Sequence, residues 1–360
     1  MMKIEKKKAN RIATIPGVDA LYYQLNINFN DYIQFYTNET LNNTGRLTTF
    51  YGVFTRLSED WTKQYTYFEL QDGQCRTVAK VGFKNLNTKD NLESIVIQTD
   101  SYYMNVHGIE YTYQFVKEQI IQLGLRIISS KIQRLDLNTY VYGYDFSYLE
   151  YYYFSTLIRS NSKFYSGAKD KLTTFYLGKR SNGASPFVRI YNKWQELIDQ
   201  DKEKKKTELI KYKFQEQHGI IIKEEEELWQ VEFELKREFL KSYGVNTVED
   251  FLASANTLHG HIMKRVRLLT KKRKDGDKNS DKIKTASVWK KIEKDYNFMD
   301  SNAPLEKIKV KQYTKDIDWL QNRLEEYLLE TKDTLTDNQI LLALSQKLNI
   351  VRKEQRENQN

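Results

Sequence analysis

Residues 187–196 read FVRIYNKWQE, and the alternation in this stretch decides what kind of fold carries it. Taken as a strand, a period of two puts Arg189, Tyr191 and Lys193 on one face and Val188 and Ile190 on the other. Two further runs have the same build. In QRLDLN, residues 133–138, Arg134, Asp136 and Asn138 share a face, with Leu135 and Leu137 behind. In QVEFELK, residues 230–236, Glu232, Glu234 and Lys236 share a face, with Val231, Phe233 and Leu235 behind. Three half-apolar strands of this kind are expected to be neighbours in one antiparallel sheet whose apolar face packs on helices. The opposite face then collects a tyrosine, three carboxylates and several cations.

That collection suggests a chemistry. Carboxylate oxygens are the hard ligands that Mg2+ or Mn2+ prefers, so Asp136, Glu232 and Glu234 are candidate metal ligands. Tyr191 is the candidate nucleophile toward a phosphate, with Arg189 and Lys193 offsetting charge. A free phenol titrates near 10, and flanking cations are expected to bring it down. Any one of the runs alone reads as an ordinary half-buried strand with a solvated polar face; the coincidence of three points to a site.

Outward from these strands, residues 171–178 are expected to pair with 187–193 as a hairpin through KRSNGASP. A first strand is expected over 19–29 and a short helix over 31–37. Aromatic and β-branched runs between 45 and 105 predict a curved antiparallel sheet. Helical spacing marks 111–123, closed by Gly124, and helices are also expected at 147–159 and 201–213. After Gly244 the pattern is helical over 248–255, 258–272, 286–296, 314–330 and 338–355. The expected fold is α+β: an antiparallel sheet with helices on one face, followed by a helical C-terminal region. The expected division is a basic arm over 1–15, a catalytic domain over 16–245 and a helical, basic DNA-binding region over 246–360.

A chain of 360 residues with 40% hydrophobic side chains can bury a core of one large or two ordinary domains. No apolar run approaches the roughly 20 residues of a spanning helix, and MMKIEKKKAN lacks the apolar stretch of a secretion signal, so a cytoplasmic protein is expected. A single cysteine, Cys75, excludes an internal disulfide. The net charge of +9 is localised. Between 264 and 291, twelve Lys and Arg face only Asp275, Asp277 and Asp281, which accounts for the whole excess. Lys264, Arg265, Arg267, Lys271, Lys272, Arg273 and Lys274, with Lys179 and Arg180 in the hairpin turn, are therefore candidate DNA contacts, against the plainer alternative of a solvated loop. No GxxxxGK[ST] phosphate loop is present, so ATP hydrolysis is not expected. His259 and His261 lie in a stretch of helical spacing and are expected on a helix surface, where residues two apart do not chelate together.

The series RLDLN at 134–138, TTFYLGKRSNGASPFVRIYNK at 173–193 and LWQVEFELKRE at 228–238 resembles the Rep_trans type of replication initiation factor, the rolling-circle initiators of small plasmids and some phages. The likeness runs in order and spacing over 19–243 and is specific from Lys131 onward. It implies that Tyr191 nicks one DNA strand and stays bound to the 5′ phosphate until religation. It places the family's following lysine on Lys193 and its acidic positions on Asp136, Glu232 and Glu234. It further implies binding of a double-strand origin, a divalent metal, action as a homodimer and recruitment of a host helicase. Alternatives are a mobilisation relaxase of an integrative element and a non-catalytic DNA-binding regulator whose strand faces are merely solvated.

Overall fold

The computed structural model describes residues 12–39, 45–57, 64–85, 94–158, 172–201, 204–223, 227–274, 282–297, 302–305 and 307. The chain divides into two units, Met1–Lys307 and Ile308–Asn360. The described residues belong to the first, and the helices expected at 314–330 and 338–355 lie outside them.

In chain order the elements are β1 (Ala13–Ile27), α1 (Phe29–Glu39), β2 (Arg46–Thr48), β3 (Gly52–Arg56), β4 (Tyr65–Asp72), β5 (Thr77–Lys84) and β6 (Ser94–Thr99). Then come α2 (Ser101–His107), α3 (Ile109–Gln122), β7 (Ile127–Tyr142), a 3-10 turn (Tyr151–Tyr153), β8 (Phe154–Thr156), β9 (Thr174–Leu177), β10 (Phe187–Asn192) and α4 (Lys193–Gln200). The rest are α5 (Lys205–His218), β11 (Leu228–Lys236), α6 (Arg237–Lys241), α7 (Val248–Arg265), β12 (Val266–Leu268) and α8 (Ser287–Asp295). Among the described residues ten strands form one antiparallel sheet in the order β2-β3-β4-β5-β6-β1-β7-β11-β10-β9, and β8 pairs with β12 apart from it.

The sheet pivots on β1, which starts at Ala13, within the stretch expected to be an arm. Pro16 and Gly17 sit inside this strand rather than before it. Residues 13–21 pair with β7, whereas pairing with β6 begins only at Tyr22, so the missing N–H of Pro16 falls where no strand needs it. At Gly17 a Cβ would lie 2.9 Å from Asn138 Oδ1, so no larger residue fits without displacing that side chain. One residue on, the register jumps from Val18↔Leu137 to Ala20↔Asp136, leaving Asp19 as a β-bulge.

The main core lies on the apolar face. Leu135, Leu137 and Val141 of β7, Trp229, Val231, Phe233 and Leu235 of β11, and Val188 and Ile190 of β10 are at most 1% exposed. They share one cluster with Phe251, Leu258 and Ile262 of α7 and Trp289 and Ile292 of α8. The described residues beyond 245 are therefore a layer on this sheet, and they include the strand β12. The sequence predicts helices on one face only, and this is corrected: they lie on both. Trp194 and Leu197 of α4 and Ile210 and Phe214 of α5 pack with Tyr140, Tyr142 and Leu228 on the opposite face, because the chain leaves β10 directly into α4 and folds back over the end of the polar side. The helix expected at 147–159 is replaced by the 3-10 turn and β8. Four successive aromatics, Tyr151 to Phe154, cannot all share the single buried stripe of a helix, whereas an extended chain sends them to both sides.

Candidate active site

The polar runs lie on adjacent strands in the order β7, β11, β10, and the antiparallel register sets their side chains in rows. Glu234 stands opposite Asp136, Glu232 lies between Asn138 and Arg189, and Gln230 lies between Tyr140 and Tyr191. Asp136, Glu232 and Glu234 are each at most 1% exposed. Burying an uncompensated carboxylate costs several kcal/mol, and here guanidinium groups supply the compensation. Arg134 grips Asp136 with a fork, Nε to Oδ1 at 2.8 Å and Nη2 to Oδ2 at 2.5 Å, and its Nη2 lies 3.1 Å from Glu234 Oε2. Arg180, reaching in from the β9–β10 turn, donates from Nε to the same Glu234 oxygen at 2.9 Å. Arg189 donates to Asp136 Oδ2 at 3.3 Å and to Glu232 Oε1, tying the two carboxyls together.

The Tyr191 hydroxyl donates to Glu232 Oε2 at 3.4 Å, and Gln230 Nε2 donates to the same oxygen at 3.3 Å. Lys193, expected on the strand with Tyr191, is instead the first residue of α4: β10 stops at Asn192, whose side chain accepts from the Gln195 N–H and caps the helix. The Lys193 ammonium lies 5.5 Å from the Tyr191 ring centroid and 5.7 Å from that of Tyr140, and pairs with Glu196 at 2.5 Å. It meets ring faces and a carboxylate rather than the phenol oxygen.

Electrostatics follow from this burial. Desolvation pushes the Tyr191 phenol well above its ordinary value, and the negative charges of Glu232, Asp19 and Glu196 push the same way. The expectation that flanking cations lower it is thereby reversed. Desolvation also carries Glu232 well above the usual carboxylate range, with Asp19 and Asp136 adding to the rise and Arg189 opposing it. Asp136 is raised by burial against the pull of Arg134 and Arg189.

Asp19 and Arg134 are the residues that alternation alone did not assign to the site. Arg134 was legible on the polar face, but nothing local said that it would fork onto Asp136. Asp19 reaches the Glu232 neighbourhood only through the bulge in β1, where Ser101 Oγ donates to its Oδ1 at 3.0 Å. An acidic residue two positions after Gly17 is the signal, and it is weak.

Three hard carboxylates on one face have the donor chemistry for Mg2+ or Mn2+. Glu234 Oε1 accepts no hydrogen bond among the described residues, with Lys236 Nζ 4.0 Å away. Burial is the main cause that raises Asp136 and Glu232; only at Glu232 do neighbouring carboxylates, Asp19 and Asp136, add to it. The arrangement itself is one of ion pairs: among the described residues no three acidic, histidine or cysteine groups are set to enclose a metal ion. The donor chemistry suits such an ion, but the carboxylates as arranged are paired with arginines and do not enclose one.

The other basic candidates fall in two places. Lys179 is exposed at the β9–β10 turn, next to Arg180. Lys264 is exposed in the last turn of α7, and the Arg265 guanidinium lies over the Phe239 ring at 5.5 Å. Arg267 donates to Thr285 Oγ1 and the Ile283 carbonyl, Lys272 pairs with Glu150, and Arg273 Nε donates to the Phe154 carbonyl. Lys271 and Lys274 are exposed. His259 is not on a helix surface: it is 2% exposed and stacked 3.7 Å from Tyr296, and burial drops its imidazole to about 3. His261 donates from Nε2 to the Leu305 carbonyl.

Glu232 yields a pH prediction. Its folded pKa is raised, so above its unfolded value near 4.5 the folded state retains a proton that the unfolded state releases, and stability falls as pH rises. Glu232→Gln mimics the protonated form. It should raise Tm at pH 8 by about 2 °C or more, a gain that vanishes as the pH approaches 4.5. A variant that melts no higher than wild type at pH 8 would mean that Arg189 compensates the charge in full.

No family model matches the sequence, and no curated protein matches it. Among solved structures, the chain is similar to the rolling circle replication initiator protein from Geobacillus stearothermophilus, at 14% identity and a TM-score of 0.41, over 79% of this chain and 96% of that one. Among the described residues no helix is long and apolar enough to cross a membrane.

Proposed function

We propose that this chain is a site-specific DNA nicking and closing enzyme that initiates rolling-circle replication. The observation that carries the reading is the Tyr191 hydroxyl hydrogen-bonded to Glu232 within a row of arginine-paired carboxylates. Tyr191 Oη attacks a phosphodiester; the tyrosyl O–P bond forms as the P–O3′ bond breaks. In its ionised form Glu232 Oε2 is placed to take the phenol proton, and the raised pKa makes that carboxylate a stronger base than an ordinary one. The leaving 3′ oxygen takes a proton from water. Arg189, between Asp136 and Glu232, offsets charge developing on the phosphate. Should a divalent metal, Mg2+ or Mn2+, take part, Asp136 and Glu234, with Glu232 beside them, are the carboxylates that would hold it, and it would polarise the phosphate. The phosphotyrosine retains the energy of the broken bond, so a 3′ hydroxyl can reverse the step without ATP.

The same reading assigns catalysis to 16–245 and duplex contacts to the basic residues beyond 245. Its partners are a double-strand origin, the single strand at the nick, a host helicase and a second copy of the chain, in the cytoplasm. One observation favours a second reading: buried carboxylates already neutralised by arginines also suit a purely structural network in a non-catalytic DNA-binding protein. Incubation with Mn2+ and a supercoiled plasmid carrying the DNA that flanks its own gene separates the two. The enzyme leaves open circles with protein on the 5′ end after denaturation, in a reaction that a chelator stops; intact supercoils across that DNA would leave the structural reading.

A further inference from the structure

The tyrosine-rich turn and the basic strap against it have no part in the chemistry above. Tyr151–Tyr153 precedes β8, and the chain after β12 is pinned along it: the Leu269 N–H donates to the Tyr153 carbonyl at 2.7 Å and the Arg273 N–H to the Tyr152 carbonyl at 2.8 Å. Arg273 Nε then donates to the Phe154 carbonyl at 2.9 Å, which sets its guanidinium 4.8 Å from the Tyr151 ring centroid and 5.7 Å from that of Tyr152. Lys272 lies 5.6 Å from the Tyr153 ring centroid, and Tyr148 meets Tyr153 edge-on at 5.1 Å. The three tyrosines are half-buried, while Lys271, Lys274, Lys282 and Lys284 are exposed around them. The Thr270 N–H donates to the Lys284 carbonyl, bringing the two basic segments side by side. Phe154 stacks on Phe175 of β9 at 5.1 Å, within the main core, so the whole patch lies on the face of the sheet opposite Tyr191.

We propose that Tyr151, Tyr152 and the strap 271–274 form a binding site for single-stranded DNA, distinct from the Tyr191 site. Aromatic rings held by a turn and interleaved with cations are what a strand with unpaired bases needs: a ring for each base face, a cation for each phosphate. A duplex hides its base faces and would use the lysines alone. Arg273 is held by the turn itself and acts as part of the stacking platform, whereas Lys271 and Lys274 are the phosphate contacts. The choice of DNA rests on the nicking activity proposed above, which leaves a single strand to be held; the stacking geometry does not.

The test is equilibrium binding of a labelled 20-nucleotide strand of mixed sequence to the full chain, with chelator present so that no cleavage occurs, beside the same sequence as a duplex. Tyr152 lies outside the core cluster and is the position at which truncation is read. Tyr152→Ala should weaken single-strand binding about 5-fold or more, with duplex binding unchanged and Tyr152→Phe restoring it. Lys271→Ala with Lys274→Ala should make the log affinity against log salt slope shallower by about 1.4. Single-strand affinity unaltered by Tyr152→Ala, an equal loss on the duplex, or Phe no better than Ala would overturn the site. Nicking of a short oligonucleotide is measured separately: its absence with stacking intact fails the enzyme reading alone, and its presence with stacking absent fails this one alone.

Discussion

Tyr191→Phe is expected to abolish the covalent protein–DNA adduct, lowering nicking on the order of 10^4-fold or more, as removal of a nucleophile does. The fold should barely respond. The hydroxyl makes one long hydrogen bond, to Glu232 Oε2, and that oxygen keeps its bond from Gln230 Nε2, so the loss is about 1 kcal/mol or less. Adduct measured by denaturing electrophoresis and Tm measured on the same preparation give the two readouts. An adduct that persists would move the nucleophile. Tyr176 is then the first to test, because it stands opposite Arg189 on β9, and Tyr212, exposed on α5 with its hydroxyl donating to Glu216, is the next.

Arg189→Ala should have the largest effect on stability. The side chain touches both Asp136 and Glu232, which are buried and crowded enough that both carboxyls are raised. Removing it leaves two buried carboxyls without their shared cation, which costs about 3–5 kcal/mol and lowers Tm by about 10 °C at neutral pH. Adding Glu232→Gln should return part of that loss, because the charge that Arg189 offsets is then gone. Arg189→Ala melting within a degree of wild type would show that Arg134 alone carries the network.

How the site came to be half legible is clearest in three residues. Asp136, Glu232 and Glu234 could be placed on one face from spacing because side chains alternate along any strand, whatever surrounds it. Lys193 could not be placed, because Asn192 serves equally as the next strand residue or as a helix cap, and only the fold-back of α4 onto Tyr140 and Tyr142 selects the cap. Asp19 could not be found, since a bulge depends on the register of β1 against β7, more than a hundred residues away in the chain.

By itself, then, the amino-acid order determined periodicity: which residues lie back to back in the strands, where the β9–β10 hairpin turns, where α3 ends, and that positive charge gathers between 264 and 291. These are properties of neighbours a few residues apart. Tertiary structure alone decided which strands adjoin, that helices cover part of both faces, and that β8 meets β12 beside the tyrosine turn. It also decided the sign of the electrostatics at Tyr191. Spacing placed cations next to that tyrosine, but the fold buries its hydroxyl against Glu232 and near Asp19 and turns Lys193 onto the ring, so desolvation and negative charge prevail. Desolvation depends on everything packed around a group, and no local pattern records it.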